Sequence, residues 1–341
     1  MLPKSPVATL TAVTTPKSRA FRHGTIAVPM HCFQSDPPHT KASLPLPEQP
    51  SSMTSPSSLL VFGGGYLGRA IARSAREKGW EVAVTSRQPQ RRVDFENQGW
   101  KAVDPDNPDA LAAAGMAATA ILVTAPPDAH GCPAMRALSA LPAGKAWPDW
   151  IGYISSTSVY GDRAGGWAFE GDALNAATLE GARRAKAERD WLDAGRGMGL
   201  TVQIFRLPAF YGPDQNIFLR LRAGKAALVR KPEQVFNRIH IDDVVSGLFA
   251  SMAHPHPGGI YNLCDDTPSP AEDVVLWAAR RIGMEPPAEV PLDDPSVSDG
   301  MRRFYRDNKR ISNARAKAEL GWRLRYPSYR EGLESLTSTL K

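Results

Sequence analysis

Residues 59–72, LLVFGGGYLGRAIA, constrain the fold of this chain more than any other stretch. The apolar run LLVF is typical of a short buried strand, and the glycines after it allow a tight turn into an amphipathic helix from Tyr66 to about residue 78. A strand, a glycine turn and a helix in direct succession form the first part of a βαβ unit. The chain is therefore predicted to build a parallel sheet covered by helices.

The glycines of this turn also predict a site for a dinucleotide. Their spacing is G-x-G-x-x-G: Gly63 would permit the turn, Gly65 would let the backbone approach a pyrophosphate, and Gly68 would allow close packing of helix on strand. The amide groups at the start of the helix, at Tyr66 and Leu67, would face the anion. The alternative is a glycine turn with a structural role only. A P-loop is disfavoured because no Gly-Lys-Ser/Thr follows.

The end of the second predicted strand bears on the choice of dinucleotide. EVAVTS (81–86) is followed by RQPQRR, so Arg87 comes first and no acid occurs before Asp94. A carboxylate there would bind the ribose 2′-hydroxyl of NAD, whereas a guanidinium suits the 2′-phosphate of NADP. We therefore expect NADP, with NAD as the alternative and a solvated surface role for Arg87 also open. Thr124 and Ala125, at the end of the fourth strand, are expected to lie against the cofactor.

Strand-like and helix-like segments alternate through the first two thirds of the chain. Predicted strands lie at 59–62, 81–86, 100–103, 118–124, 150–156 and 201–207, with a helix at about 173–194. This alternation predicts an α/β fold with a doubly wound parallel sheet. After Pro208, short segments at 225–229 and 236–241 mix with helices at about 242–253, 270–283 and 328–340. The sequence thus predicts an extension (1–55), a dinucleotide-binding domain (56–208) and a smaller α+β substrate lobe (209–341).

Composition narrows the class of protein. The formal net charge is +6, but residues 1–52 contain five basic and two acidic residues, and the remainder has no basic cluster interleaved with aromatic residues. A nucleic-acid partner is therefore not expected. No apolar stretch is long enough to span a bilayer, so no membrane partner is expected. Cys32, Cys132 and Cys264 lie far apart, which fits a reducing compartment.

The extension is rich in Pro, Ser and Thr and is expected to be disordered. The expected localisation is cytoplasmic, with translation starting at Met53. The alternative is that residues 1–52, which resemble an acid-poor transit peptide, target a plastid or mitochondrion.

Five motifs occur in an order and spacing that resemble the extended short-chain dehydrogenase/reductases, the NAD-dependent epimerase/dehydratase family. They are GGGYLG, ISSTSVYGD, RLPAFYGP, RIHIDDVV and YNLCDD, and the resemblance covers about residues 59–340. It implies a Rossmann-type domain with a C-terminal substrate lobe, and a catalytic trio of Ser/Thr, Tyr and Lys. Ser156 falls on the Ser/Thr position and would bind a substrate oxygen. Pro208 would face the nicotinamide amide.

The chain departs from this family at the Tyr-x-x-x-Lys pair. No tyrosine occurs between Tyr160 and Tyr211. Glu180 and Arg184 stand at the tyrosine and lysine positions, and Glu180 could replace the acid/base only if it were buried. The literal YxxxK that ends at Lys309 lies in the other lobe and is interpreted as chance. The chain therefore resembles the atypical members of the family. A redox sensor or regulatory protein that binds NAD(P) without catalysis is the alternative to an oxidoreductase or epimerase/dehydratase.

The expected partners are a small-molecule substrate and, as an alternative to a monomer, a second copy of the chain in a homodimer. Thr157, Tyr211, Asn216 and Arg238 are the further candidates for contact with substrate. Each has a structural alternative, such as helix capping for Asn216. Residues 254–257, HPHP, are not expected to bind a metal, because no third ligand is evident.

Overall fold

The structure, a computed structural model, describes residues 58–140 and 148–340. In chain order the strands are β1 (Ser58–Phe62), β2 (Glu81–Thr85), β3 (Lys101–Val103), β4 (Ala120–Val123), β5 (Trp150–Ser156), β6 (Trp167–Ala168), β7 (Val202–Leu207), β8 (Ala209–Tyr211), β9 (Leu228–Val229), β10 (Arg238–His240), β11 (Ile260–Asn262), β12 (Glu289–Val290) and β13 (Arg310–Ile311).

The helices are α1 (Tyr66–Glu77), α2 (Pro89–Asn97), α3 (Pro108–Ala117), α4 (Pro133–Ser139), α5 (Leu179–Met198), α6 (Ile217–Arg222), α7 (Ile241–Ala253), α8 (Ala271–Arg281), α9 (Asp299–Phe304), α10 (Ala314–Leu320) and α11 (Tyr329–Leu336). Short 3₁₀ helices follow at Thr157–Tyr160 and Thr337–Leu340.

Seven strands form one parallel sheet in the order β11-β7-β5-β4-β1-β2-β3. Every neighbouring pair in it is parallel. The chain leaves β1 toward β2 on one side and returns to β4 on the other, so strand order reverses at β1. The predicted doubly wound α/β fold is confirmed. Ligands of such sheets bind outside the carboxyl ends of the strands at this reversal.

Helices cover both faces of the sheet. Along β1, Leu59 and Val61 belong to a core shared with α1 and α7. Leu60 and Phe62 belong to a core on the other face, shared with α3, α4 and α5. Strands buried on both faces need continuous apolar sequence, which explains the run LLVF.

Some predicted boundaries were wrong. Helix α5 begins at Leu179 rather than near 173, because the Thr178 side chain caps it by accepting from the Gly181 amide at 3.0 Å. Strand β11 was missed, and the predicted strand 225–229 shortens to Leu228–Val229, which pairs with β12.

The remaining strands pair in twos, β8 with β10, β9 with β12 and β6 with β13. Within the two described ranges, no helix combines the length and apolar character that crossing a membrane requires. The predicted extension lies outside the described residues. The boundary predicted at residue 208 stays a prediction.

Candidate functional site

Gly63, in the turn between β1 and α1, and Gly68, in the first turn of α1, leave no room for a side chain. Gly63 has a φ of +119°, and a Cβ there would lie 2.5 Å from Thr124 Oγ1. A Cβ on Gly68 would overlap the Gly63 carbonyl oxygen. At both positions the chain's own atoms occupy the space of a side chain, so this conformation requires glycine.

Gly65 is different, because a Cβ built there would meet no atom within 4 Å. Its backbone is extended, with a φ of −72°, so the position does not need glycine for its conformation. Gly65 is also the N-cap of α1, which has no side-chain cap and no acidic residue in its first turn. The helix therefore begins, at Tyr66 and Leu67, with amides that no side chain caps and a positive dipole end that no acid neutralises.

Threonines at the carboxyl ends of β2 and β4, the two strands on either side of β1, hold this turn. The Gly63 amide donates to Thr85 Oγ1 at 2.9 Å, and Thr124 Oγ1 donates to the Gly63 carbonyl at 2.7 Å. The Ala125 amide donates to the Phe62 carbonyl at 3.1 Å. Thr124 and Ala125 thus lie against the turn. Thr85 was not predicted, although its place at the end of the second strand was visible in the sequence.

The basic residues after β2 have different partners. Arg92 donates to the Ser86 carbonyl at 2.8 Å and pairs with Asp104 at 3.0 Å. Arg87 is exposed and, within the described residues, forms no hydrogen bond or ion pair. A cavity of about 460 Å³ opens between α1 and α2, with Arg69 and Arg91 in its wall. Arg69 also donates to the Gly64 carbonyl at 3.2 Å, so this cavity adjoins the glycine turn.

The hydroxyls at the carboxyl end of β5 have separate roles. Ser156 is half-buried, and its Oγ accepts from the Ser158 amide at 3.1 Å as the cap of the 3₁₀ helix. Its own O–H remains able to donate. Ser155 is buried and donates to Glu188 at 2.5 Å. Thr157 is buried as well.

A buried ion pair lies under this strand end. Glu188 on α5 and Arg206 on β7 approach to 2.7 Å, with their side chains 2% and 3% exposed. Burial by itself lowers the pKa of Arg206, but the Glu188 carboxylate outweighs it and the pKa is raised. Arg206 Nη1 also donates to the Tyr160 hydroxyl at 2.9 Å. The network fixes the position of β5 relative to α5.

Tyr160, Tyr305 and Lys309 each have other hydrogen-bond partners in the structure. Tyr160 is fully buried, and burial raises its pKa to about 12. The Tyr305 hydroxyl donates to the Val229 carbonyl, whereas Lys309 Nζ donates to the Gly161 carbonyl at 2.8 Å. The literal YxxxK therefore spans two unrelated contacts.

Glu180 is exposed in the first turn of α5. An acid/base role would require Glu180 to be buried, and the structure leaves it exposed. That role stays a prediction. Pro208 is half-buried between β7 and β8, and its contact with a nicotinamide is likewise untested.

The predicted substrate residues beyond Pro208 have internal partners. Asn216 caps α6 by accepting from the Leu219 amide at 3.1 Å. Arg238 donates to the carbonyls of Phe236 and Ser269 at 3.1 and 3.2 Å. The Tyr211 hydroxyl packs against α11 at Gly332. The contact of Asn216 is the capping role given as its alternative, and contact of the three residues with substrate stays a prediction.

Asp265 was not among the predicted site residues, and the pKa of its carboxyl is strongly raised. It is 2% exposed, and its Oδ2 has no hydrogen-bond partner in the described residues. Burial raises the pKa of Asp265 to about 8, although the nearby Arg238 opposes this. Among the residues the structure describes, no cluster of three or more His, Cys, Asp or Glu could hold a metal ion.

Known proteins resemble the chain over most of its length, although no family model matches it. Protein YeeZ of Escherichia coli K12 is 31% identical over 285 residues, which cover 78% of this chain and 95% of YeeZ. A conserved protein of unknown function from Silicibacter pomeroyi has a solved structure with a TM-score of 0.75 and 38% identity, over 83% of this chain and 99% of that one.

A more distant structure shares the fold. The dTDP-glucose 4,6-dehydratase of Bacillus anthracis, solved in complex with NAD, has a TM-score of 0.66 and 16% identity, over 82% of this chain and 95% of its own.

Proposed function

Because this chain belongs to the extended short-chain dehydrogenase/reductases, the NAD-dependent epimerase/dehydratase family, we propose that it is an oxidoreductase or epimerase/dehydratase-like enzyme that binds a nicotinamide dinucleotide at the β1–α1 turn. The pyrophosphate would lie over Gly65 and accept from the amides at the start of α1. Thr124 and Ala125 would line the same crevice.

The open space at Gly65 carries this proposal. Gly63 and Gly68 are glycines because the chain's own atoms occupy the space of a side chain. Gly65 has neither this restriction nor a positive φ. A glycine in open space at an uncapped helix start is explained by a ligand whose anionic group must come close to the backbone.

NADP is the preferred dinucleotide in this proposal. Arg87 follows β2 directly, is exposed, and forms no ion pair in the described chain, so its guanidinium is free to bind a 2′-phosphate. The wall of the adjoining cavity contains Arg69 and Arg91 against one acid, Asp94, and its net positive charge would add to the potential there. The absence of an acid between the strand end and Asp94 argues against a contact with the 2′-hydroxyl of NAD.

Ser156 would orient the substrate. Its Oγ already accepts from the Ser158 amide, which fixes the hydroxyl and leaves its proton to donate to a carbonyl or alcohol oxygen. When bound, the nicotinamide supplies hydride chemistry at this end of the sheet. The Glu188–Arg206 ion pair would hold β5, and with it Ser156, in position.

The replacement Gly65→Asp tests the dinucleotide site. Aspartate is a favourable N-cap, so the variant should fold as well as wild type, while its carboxylate repels a pyrophosphate. Calorimetric titration with NADP and NAD should show at least a hundredfold loss of affinity. Gly171→Asp is the matched control, because Gly171 is exposed and a side chain there meets nothing within 4 Å. Equal affinity of the Gly65 variant and the control would refute the site.

A second candidate is a redox sensor that binds the dinucleotide without turning it over. The exposure of Glu180 and the burial of Tyr160 favour it, since neither side chain is suited to proton transfer. The two candidates differ in turnover. An oxidoreductase changes the absorbance at the nicotinamide band with some substrate from a panel of carbonyl compounds and alcohols, whereas an epimerase or dehydratase regenerates its dinucleotide in each turnover and is detected by a new product in chromatography. A sensor binds the dinucleotide and gives neither an absorbance change nor a product with any member of the panel.

A further inference from the structure

Arg184 lies at the carboxyl edge of the sheet, where β5 extends beyond β4. The last residue of β4, Val123, pairs with Tyr153, so β4 provides no residue opposite Ile154. Arg184 Nη1, on α5, donates to the Ile154 carbonyl at 3.0 Å. Arg184 therefore reaches from the helix to the strand end that carries Ser156.

No amide that follows β4 is available to donate to the Ile154 carbonyl in place of Arg184. The two amides that follow β4, at Thr124 and Ala125, both donate to the Phe62 carbonyl. The guanidinium of Arg184 is thus held at the mouth of the crevice between β4 and β5 by a hydrogen bond to one backbone oxygen. In open α/β sheets, ligands bind outside the carboxyl ends of the strands.

The charge of Arg184 has no counter-charge within the described chain. Glu180 and Glu188 lie four residues before and after it, at the spacing of helical ion pairs. Glu188 pairs with Arg206 instead, and the other ion pairs of α5 are Lys186–Asp190 and Arg196–Asp193. Since Arg184 is half-buried, its charge is only partly solvated. An anionic ligand would offset the free-energy cost of burying this charge.

The Tyr153 hydroxyl lies beside Arg184. Tyr153 is fully buried, and burial raises the pKa of its hydroxyl, while the charge and hydrogen bonding of the Arg184 guanidinium oppose that rise. Arg184 brings five N–H donors and no acceptor, and the Ile154 carbonyl and the Tyr153 hydroxyl use only part of them. Donors that can bind an anion therefore remain on Arg184.

We propose that Arg184 binds an anionic group, a carboxylate or a phosphate, of the substrate. This rests on the proposed function, which brings the reacting oxygen of the substrate to Ser156. Residues two apart along a strand are separated by about 6.6 Å, so Ile154 and Ser156 set a distance of that order between the two contacts. The substrate class is a small carbonyl compound or alcohol that also carries a carboxylate or a phosphate.

The test is calorimetric titration of the protein loaded with NADP, using pyruvate in one arm and inorganic phosphate in the other. Wild type should bind at least one of them at millimolar concentration, and the arm that binds identifies the anionic group. Arg184→Gln should weaken that binding at least tenfold, and Arg184→Lys should weaken it less. Arg183→Gln is the matched control, because Arg183 is the adjacent half-buried arginine on the same helix.

The NADP affinity of each variant separates this proposal from the cofactor site. If wild type binds neither NADP nor NAD, the proposed function fails. If wild type binds the cofactor but neither anion, the assignment of Arg184 is overturned. It is also overturned if Arg184→Gln weakens NADP binding and leaves anion binding unchanged, since the guanidinium would then serve the cofactor. Urea unfolding of each variant shows that these differences do not arise from loss of the fold.

Discussion

Replacing Asp265 by Asn should make the protein more stable at alkaline pH than wild type. Asp265 is buried, and burial raises its pKa from 3.8 to about 8. The folded state therefore keeps a proton that the unfolded state releases. The stability contributed by the protonated carboxyl is fully present below pH 3.8 and is lost progressively as the pH rises to about 8.

The size of the effect follows from the same pKa. Each unit of pKa difference corresponds to about 1.4 kcal/mol. Between pH 6 and pH 9 the folded carboxyl loses its proton, and wild type should lose about 3 kcal/mol of its free energy of unfolding from this group. Asn cannot ionise, and its carbonyl oxygen can still accept from the Thr267 amide, as Oδ1 of Asp265 does at 3.3 Å.

The measurement is urea unfolding of wild type and Asp265→Asn at pH 6 and at pH 9. The variant minus wild-type difference in the free energy of unfolding should rise by about 3 kcal/mol between the two. Arg238 stays protonated throughout, so it shifts both values equally. Asp293→Asn is the control, because Asp293 is exposed and forms no ion pair within the described residues. If the difference between Asp265→Asn and wild type is the same at both pH values, the reasoning is refuted.

Three further replacements test the turn, the buried ion pair and the cofactor preference. Gly68→Ala should lower the free energy of unfolding by about 2 kcal/mol, since its Cβ overlaps the Gly63 carbonyl; Gly197→Ala, in open space on α5, should not lower it in the same urea titration. Glu188→Gln should cost about 3 kcal/mol because it leaves Arg206 buried without its counter-charge, whereas Asp190→Asn, in an exposed pair, should cost about 0.5 kcal/mol or less; equal losses would show that burial of the pair is unimportant. Arg87→Ala should weaken NADP at least tenfold in calorimetry and leave NAD unchanged, and equal weakening of both would contradict a contact with the 2′-phosphate.

The parts of the fold that depend on local sequence were predictable. LLVFGGGYLG determines a strand, a turn and a helix start within ten residues, and the structure contains all three. Strand β11 was missed because it has three residues and exists only through its pairing with β7. The start of α5 was misplaced because polar and apolar residues alternate weakly before Thr178, whose capping role shows only in the structure.

The site was less predictable, because its parts come from distant positions. Glu188 and Arg206 form one ion pair from a helix and a strand, and neither residue type indicates the other in sequence. Arg184 can be aligned with the lysine of the family motif, but its contact with Ile154 depends on where β4 ends. Exposure of Glu180 likewise follows from how α5 lies on the sheet. Such features depend on tertiary packing rather than on local pattern.

The position of β11 at the outer side of β7 has a consequence for the synthesis of the protein. A nascent chain that has emerged only as far as Leu207 has an unprotected β7 edge, because β11 is made more than fifty residues later. It also lacks α7, whose Val244 and Leu248 complete one of the two cores. Such an intermediate presents open backbone groups and uncovered apolar surface, the features that favour association between chains. A gene truncated after residue 207 should therefore give an insoluble fragment rather than a small dinucleotide-binding protein.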